Sequence, residues 1–159
     1  RERGRLMARG ELRTSARLAA VQALYQMDIV AKDIGDVIAE FEAHWLGREI
    51  DGVEMKPAES AFFRNLVEGV VARQRHIDPL IDEALSQSWP LKRIEAVLRA
   101  ILRAGCFELL VRTDVPAKVV IREYGDLAAA FYEGDEIGMV SAVLDGLAHR
   151  LRSGELAAP

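Results

Sequence analysis

The sequence predicts an all-α protein, a compact bundle of six to seven helices in two packed helical halves. Apolar residues recur at three- and four-residue spacing through nearly every segment, and no stretch shows the sustained two-residue alternation of a strand. Short connections join the segments, which is typical of all-α domains. With 159 residues, the chain has the length of one domain. We therefore predict a single domain over 1–159, with helical halves at roughly 13–88 and 90–152.

The first half begins with two helices and a loop. The first helix is expected to end near Asp28, and its apolar stripe comprises Leu18, Val21, Leu24 and Tyr25. A second helix is expected over Ile34–Trp45. The stretch from Gly47 to Glu54 is acidic and contains two glycines, so it is predicted to be a loop.

Two prolines set the expected limits of a third helix. Pro57 is well placed at its start, because the first helical turn does not need the N–H group that proline lacks. Pro79 removes a helical donor and favours an extended conformation at the residue before it. We therefore predict that residues 80–88 form a separate turn or a kinked extension, followed by a joint at the Trp89-Pro90 pair.

The second half carries three more apolar stripes. The first runs from Ile94 to Leu110 and is interrupted by Gly105, which we expect to let another helix approach closely. The second starts at Ala117 and stops near Gly134. The last helix is predicted from the apolar positions Met139, Val140, Val143, Leu144 and Leu147.

Basic residues are concentrated at the N-terminus of a chain that is acidic overall. The net charge is −4, but the first 17 residues contain six arginines and two glutamates and carry +4, which leaves −8 on the remainder. An arginine-rich end suits an anionic partner, and nucleic acid is the first candidate. A solvated tail would have the same composition, and the sequence leaves open whether residues 1–12 are ordered. The acidic remainder also favours a basic protein partner.

Cysteine content and hydropathy exclude several classes of protein. Cys106 is the sole cysteine, so the chain can form neither an intrachain disulfide nor a cysteine-rich zinc site. Its place on an apolar stripe predicts an inert thiol. No apolar run approaches the roughly 18 residues of a membrane span, and no secretory signal follows the charged N-terminus. We expect a soluble, cytoplasmic protein that has no membrane partner.

Six segments occur in an order that matches a known family. They are RLAAVQALYQ (17–26), FFRNLVEGV (62–70), VLRAILRAGCFELL (97–110), DVP (114–116), KVVIREYGDLAAAF (118–131) and VLD (143–145). Most of them alone would be ordinary amphipathic helices. Their order and spacing from about Arg13 to Ala148 resemble the NusB family of transcription antitermination factors. The resemblance implies a single NusB-like RNA-binding domain.

The resemblance also implies a bacterial, non-enzymatic adaptor that uses no cofactor. Such an adaptor binds the boxA-type single-stranded RNA of ribosomal RNA operons together with NusE, a small-subunit ribosomal protein. The complex joins RNA polymerase in an antitermination complex, so that these operons are transcribed through terminators. Some members of the family form homodimers, and self-association is therefore a further expectation.

Carried onto matching positions, the resemblance predicts two sets of site residues. Those expected to contact RNA are Arg9, Arg13, Arg17, Arg103, Lys118, Asp135 and Met139. Those expected to contact a protein partner are Tyr25, Arg99 and Phe107. Structural roles compete for several of them: Arg103 can extend over the core, Asp135 can stabilise a helix N-terminus, and the two aromatic rings suit a core.

Two stretches depart from the family pattern. Thr14 and Ser15 stand where consecutive arginines are usual, so the basic patch is more dispersed. In the last helix, MVSAVLD (139–145) stands in place of FVNGVLD, which puts a methionine where an aromatic ring is usual. A thioether offers no π-face for stacking on a base. We therefore expect weaker RNA binding by the chain alone and more reliance on NusE.

Three other functions are alternatives. His44 and His149 each follow a carboxylate by four residues, Glu40 and Asp145, and such pairs on a helix could serve a metal-dependent enzyme. No GxxxxGK[ST] or HExxH motif supports catalysis. A similar helical domain accompanies the catalytic domain of ribosomal RNA cytosine methyltransferases, but we expect no room for that domain in this chain. The third alternative is a self-associating protein with only non-specific RNA binding.

Overall fold

A computed structural model of the chain describes residues 2–45, 49–50, 53–54, 57–85 and 90–156. Within these ranges the chain forms seven α-helices, so the predicted all-α class is confirmed. The helices are α1 (Glu2–Val30), α2 (Ile34–Trp45), α3 (Pro57–Ala84), α4 (Ala96–Val111), α5 (Ala117–Phe131), α6 (Asp135–Leu151) and α7 (Ser153–Leu156). A 3₁₀ turn at Leu91–Arg93 precedes α4.

The chain divides into two compact units, Arg1–Gly69 and Val70–Pro159. The division falls inside α3, whereas the sequence placed the joint near Trp89, which lies outside the described residues. The first unit therefore contains α1, α2 and the start of α3, and the second contains the end of α3 and all later helices.

The first unit is held together by small residues on α1 and by aromatic residues between α2 and α3. The buried face of α1 is lined with alanines that let other helices come close: Ala16, Ala19, Ala20 and Ala23. Phe41 on α2 and Phe63 on α3 stack with ring centroids 5.8 Å apart. Glu42 joins the same two helices, because its carboxylate accepts hydrogen bonds from Ser60 Oγ at 3.0 Å and Arg64 Nη2 at 2.5 Å.

The second unit is built on α4, α5 and α6, which all pack against one another. Their close approach depends on Gly105, where a Cβ atom would lie 2.9 Å and 3.0 Å from the two Cδ atoms of Leu144 on α6. The same atom would lie 3.4 Å from Cδ2 of Tyr124 on α5. The expectation that Gly105 lets another helix approach is therefore confirmed.

Arg152, which follows α6, fastens the connection between α4 and α5. Its guanidinium is buried and donates hydrogen bonds to four backbone carbonyl oxygens at 2.5 to 2.9 Å. The four carbonyls belong to Glu108, Leu109, Arg112 and Val115. Glu155 on α7 accepts a hydrogen bond from Arg152 Nη1 at 3.2 Å and another from the backbone N–H of Ala117, at the start of α5. A positive charge thus lies at the C-terminus of α4 and a negative one at the N-terminus of α5, as the helix dipoles favour.

Of the two alternatives predicted after Pro79, the separate turn was wrong and an extension of the helix is found, because α3 continues through the proline to Ala84. The helix persists because its buried stripe spans the proline, with Ile77 and Ile81 both fully buried and Leu85 nearly so. Burial of a large aliphatic side chain contributes roughly 1.5 to 3 kcal/mol. The three together therefore contribute more than the roughly 3 kcal/mol that an interior proline costs.

Two other stretches differ from the expectation in smaller ways. The predicted loop at 47–54 contains two antiparallel two-residue strands, β1 (Glu49–Ile50) and β2 (Val53–Glu54). The first helix starts at Glu2, so the basic head is helical wherever the structure describes it. Sequence reasoning placed the start of that helix later because its first turns carry charge and no apolar stripe.

Candidate nucleic-acid interface

The first unit brings two of the predicted arginines onto one aromatic ring. Arg13 and Arg17 are four residues apart on α1 and therefore share a face of the helix. That face meets the first turns of α3, where the Phe62 ring centroid lies 4.7 Å from Cζ of Arg13 and 5.0 Å from Cζ of Arg17. Both distances are within the range of a cation–π interaction, which contributes roughly 0.5 to 2 kcal/mol.

Glu59 completes this arginine–phenylalanine cluster, which we define as Arg13, Arg17, Glu59 and Phe62. Its carboxylate Oε2 lies 3.9 Å from Nε of Arg13. Arg17, Glu59 and Phe62 are 3%, 5% and 3% exposed, whereas the side chain of Arg13 is 37% exposed. Arg13 is therefore the member of the cluster that an anion in solution can reach.

Arg17 is buried, unlike Arg13, and its expected contact with RNA stays a prediction. A guanidinium that is 3% exposed and lies against a buried ring offers little surface to a phosphate. In this structure the side chain of Arg17 packs α1 against α3 and keeps a positive charge behind Arg13.

The backbone of Arg9 lies on the same helix, and its side chain is outside the described residues. The hydroxyl of Thr14, one of the residues that stand in place of arginine, donates to the carbonyl of Gly10 at 2.9 Å.

In the second unit, Arg103 forms a bidentate ion pair with Asp78. Nε and Nη2 of Arg103 each donate to one carboxylate oxygen at 2.9 Å, in the parallel arrangement that is strongest for these groups. Only 14% of the Arg103 side chain is exposed. This ion pair joins α3 to α4, so a structural role competes directly with the expected RNA contact.

The other three predicted RNA-binding residues lie on α5 and α6. Asp135 and Met139 occupy the first two turns of α6, exposed and half-buried respectively. The N-cap of α6 is Gly134, with φ 89°, and it makes no side-chain capping bond, so Asp135 acts on this helix end through its charge. Lys118 is exposed in the first turn of α5. It lies about 20 Å along the helix axis from the C-terminal end of α5, whereas Met139 lies in the second turn of α6.

The predicted partner residues divide into exposed and buried ones. Tyr25 is 37% exposed near the end of α1, where Ile29 and Val30 are 56% and 60% exposed. Arg99 is half-buried and donates to the carbonyl oxygens of Ile94 and Lys92, which holds the 3₁₀ turn against α4. Phe107 is 1% exposed and lies in the core, and its expected contact with a partner stays a prediction.

The residues weighed for catalysis do not converge. In the part of the chain that the structure describes, no group of three or more His, Cys, Asp or Glu side chains is placed to hold a metal ion. Nδ1 of His149 lies 2.8 Å from the carbonyl oxygen of Asp145 one turn earlier, and Glu40 is ion-paired with Lys32 at 2.6 Å.

Cys106 is buried, and this burial, reinforced by the charge of Asp78, raises the pKa of its thiol to about 12. No helix in the described ranges combines the length and the apolar character needed to cross a membrane.

Two features of the site were not predicted from the sequence. Neither Phe62 nor Glu59 was predicted to be a site residue, although their three-residue spacing gives them a shared helix face. The signal that could have found them is an arginine pair at four-residue spacing on one helix and an acid–aromatic pair at three-residue spacing on another. That signal is weak, because many helix pairs carry it without being in contact.

The fold is that of an all-α protein, and the arginine–phenylalanine cluster leaves one guanidinium, that of Arg13, accessible to an anionic partner. The model of the NusB family matches residues 14–149. The chain belongs to the NusB family, and this is a family of non-catalytic transcription antitermination factors.

Relatives with high identity cover nearly the whole chain. The transcription antitermination protein NusB of Nitrobacter hamburgensis is 63% identical over 145 residues, which is 91% of each chain. That of Bradyrhizobium sp. (strain ORS 278) is 62% identical over 144 residues and covers 91% of this chain and 86% of its own.

Solved structures share the fold at lower identity. NusB from T. maritima superposes with a TM-score of 0.76 and 24% identity and covers 92% of this chain and 97% of its own. A structure of the antitermination factors NusB and NusE in complex with dsRNA gives a TM-score of 0.72 and 23% identity, with coverage of 88% and 98%.

Proposed function

We propose that this chain serves transcription antitermination by holding boxA-type single-stranded RNA together with NusE, as a non-catalytic adaptor to RNA polymerase in the cytoplasm. The observation that carries the proposal is the partly exposed guanidinium of Arg13 over Phe62. It occurs in a chain whose relatives at 62–63% identity are named transcription antitermination protein NusB. A solved structure with the same fold contains the antitermination factors NusB and NusE in complex with dsRNA.

The RNA side of the proposal rests on electrostatics. The first 17 residues carry six arginines, and Arg13 is the one whose exposed side chain is described. Arginine binds phosphate through charge-assisted and often bidentate hydrogen bonds. Such contacts position a single strand without reading its sequence. We assign Arg13 and Arg9 to phosphate contact and Met139 to base contact, with Lys118, Arg103 and Asp135 as further members to be tested individually.

The protein side of the proposal rests on the exposed end of α1. Tyr25 and Ile29 are four residues apart on one helix face, with Val30 beside them, and all three are more than a third exposed. Tyrosine suits such a surface because its ring packs against apolar groups while its hydroxyl keeps a polar partner. We assign Tyr25 and Ile29 to the NusE contact, with Arg99 and the buried Phe107 as further candidates.

Fluorescence anisotropy with a labelled boxA-like single-stranded RNA tests the function. The comparison needs a scrambled strand and a duplex of the same length, each with and without purified NusE, over a salt series. We expect sequence-selective binding that tightens when NusE is present. Equal binding of the boxA-like and scrambled strands regardless of NusE would contradict the proposal, and stronger binding of the duplex would replace the single-strand assignment.

Arg13→Ala tests the assigned phosphate contact. Each neutralised single-strand phosphate contributes roughly 0.7 to the slope of log affinity against log salt, so the variant should lower the slope by about that amount. Arg150→Ala is the matched control, because it removes the same charge from an exposed ion pair with Glu83 on α3 and lies outside the predicted site. If both variants lowered the salt slope equally, Arg13 would contribute only to the overall charge of the protein and not to a specific phosphate contact.

A further inference from the structure

We infer that Phe62 is a positioning residue for RNA binding: its ring holds the guanidinium of Arg13 in place before RNA arrives. The inference rests on the proposed function and adds to it a residue that was not among the predicted site residues. It is drawn from the contacts of the arginine–phenylalanine cluster, all of which lie within the first unit.

The first step of the argument is the charge of the cluster. Two guanidiniums share one ring, at 4.7 Å and 5.0 Å from its centroid, and the carboxylate of Glu59 lies beside Arg13. Arginine stays protonated at all ordinary pH values, so two positive charges lie against the same ring. Like charges repel, and contact with the ring face offsets part of that repulsion.

The second step is the gradient of burial across the cluster. Arg17, Glu59 and Phe62 are almost completely buried, and Arg13 is partly exposed. The three buried members form a fixed base, and the exposed member carries the charge that an anion meets. An arginine on an open helix face would instead sample many rotamers.

The third step is the energetic benefit of holding Arg13. Immobilising a rotamer-rich side chain on binding costs roughly 0.5 to 1.5 kcal/mol, as surveyed for protein interfaces, and a preorganised side chain has already met most of that cost on folding. Contact with the ring face and with Glu59 limits Arg13 on two sides. Loss of the ring should therefore weaken RNA binding by about three- to tenfold.

The test compares Phe62→Leu, which keeps an apolar side chain but removes the ring, with Phe62→Tyr, which keeps the ring. The probe is the labelled boxA-like single-stranded RNA, and circular dichroism melting monitors the fold. We expect Phe62→Leu to raise Kd by about three- to tenfold and Phe62→Tyr to restore binding close to that of the parent chain. Phe62→Met provides a second ringless variant in case Phe62→Leu does not fold.

Phe63→Leu is the matched control, because Phe63 is equally buried on the same helix but stacks on Phe41. A double-mutant cycle gives a readout that a purely structural role would not move. If Phe62 acts through Arg13, Arg13→Ala should raise Kd by a smaller factor in the Phe62→Leu background than in the parent chain. Equal factors in both backgrounds, or equal weakening by Phe62→Leu and Phe63→Leu, would overturn the inference. Absence of RNA binding by the parent chain would instead overturn the proposed function.

Discussion

The phenolic hydroxyl of Tyr124 on α5 donates a hydrogen bond to a carboxylate oxygen of Glu108 on α4, and both side chains are completely buried. Buried acids are costly unless they are hydrogen-bonded, so this contact is a condition for packing the two helices. The carbonyl of the same glutamate accepts a hydrogen bond from Arg152. Glu108 on α4 therefore contacts both Tyr124 on α5 and Arg152, the residue that follows α6.

Tyr124→Phe should lower the free energy of unfolding by roughly 1 to 3 kcal/mol, because it removes a donor from a buried acceptor without changing the ring. Urea unfolding followed by circular dichroism measures the change. Tyr132→Phe is the matched control, because the Tyr132 hydroxyl also donates to a carboxylate, that of Glu95, but at an exposed position. Equal destabilisation by the two variants would show that burial does not determine how much the hydrogen bond contributes to the free energy of unfolding.

Arg152→Met should lower the free energy of unfolding by at least about 3 kcal/mol, because it leaves four backbone carbonyls without their charged donor. Arg150→Met provides the comparison, since its ion pair with Glu83 is exposed and should contribute less than about 1 kcal/mol. Thermal and urea unfolding of both variants measure the difference. Similar losses would contradict the role assigned to Arg152.

Gly105→Ala should destabilise the protein by roughly 1 to 3 kcal/mol, although alanine is the better helix former. The added methyl group would meet the fully buried side chain of Leu144, which has little room to move. Gly146→Ala on α6 adds the same group where no atom lies within 4 Å, and it should stabilise the protein by about 0.5 to 1 kcal/mol. A stabilising Gly105→Ala would mean that α6 moves away from α4 at little cost.

The buried thiol of Cys106 predicts a loss of stability in alkali. Its pKa is raised from an ordinary value of 9.0 to about 12, mainly by burial, so between these values the unfolded chain releases a proton that the folded chain keeps. The free energy of unfolding should therefore be unaffected by this group below pH 9 and should fall as the pH rises from there towards 12. Cys106→Ala should flatten that part of the profile, as measured by urea unfolding at each pH.

The same burial predicts slow chemistry at Cys106. A thiol reagent at pH 8 should react with the folded protein far more slowly than with the protein in denaturant, because the thiolate is the nucleophile and is disfavoured in the core. Fast reaction in the folded state would contradict the packing of α4 described above.

Met139→Phe should tighten RNA binding, because an aromatic ring at a half-buried surface position adds a face on which a base can stack. Stacking contributes roughly 1 to 3 kcal/mol per base, so Kd should fall about fivefold or more in anisotropy measurements. Met139→Leu is the control for side-chain volume. An unchanged Kd for Met139→Phe would remove Met139 from the proposed RNA contact.

Helix periodicity predicted most of the fold because it reports which residues must be buried. The second helix, the start of the third at Pro57 and the start of the fifth at Ala117 all agree with the structure. Pro79 was misleading, since local backbone preference is small beside the burial of Ile77 and Ile81 on the same stripe. Here tertiary packing outweighed a local rule.

The candidate site was less predictable than the fold. Sequence reasoning selected Arg13 and Arg17 but could not tell that one is exposed and the other buried, because that depends on where α3 lies. The same limit applies to Phe107, whose exposure depends on its neighbours in the core. Charge and spacing identify candidates on a helix, whereas accessibility is a property of the packed unit.

The position of Arg152 in the chain sets an order of events during synthesis. The end of α4 and the connection that follows it are synthesised before the residue that satisfies their carbonyls, which follows α6. Until then those polar groups depend on water, and the second unit stays short of its final packing. The second unit therefore reaches its final packing only when Arg152 is present, and a chain interrupted before that residue would be exposed to proteases and chaperones in a half-finished state.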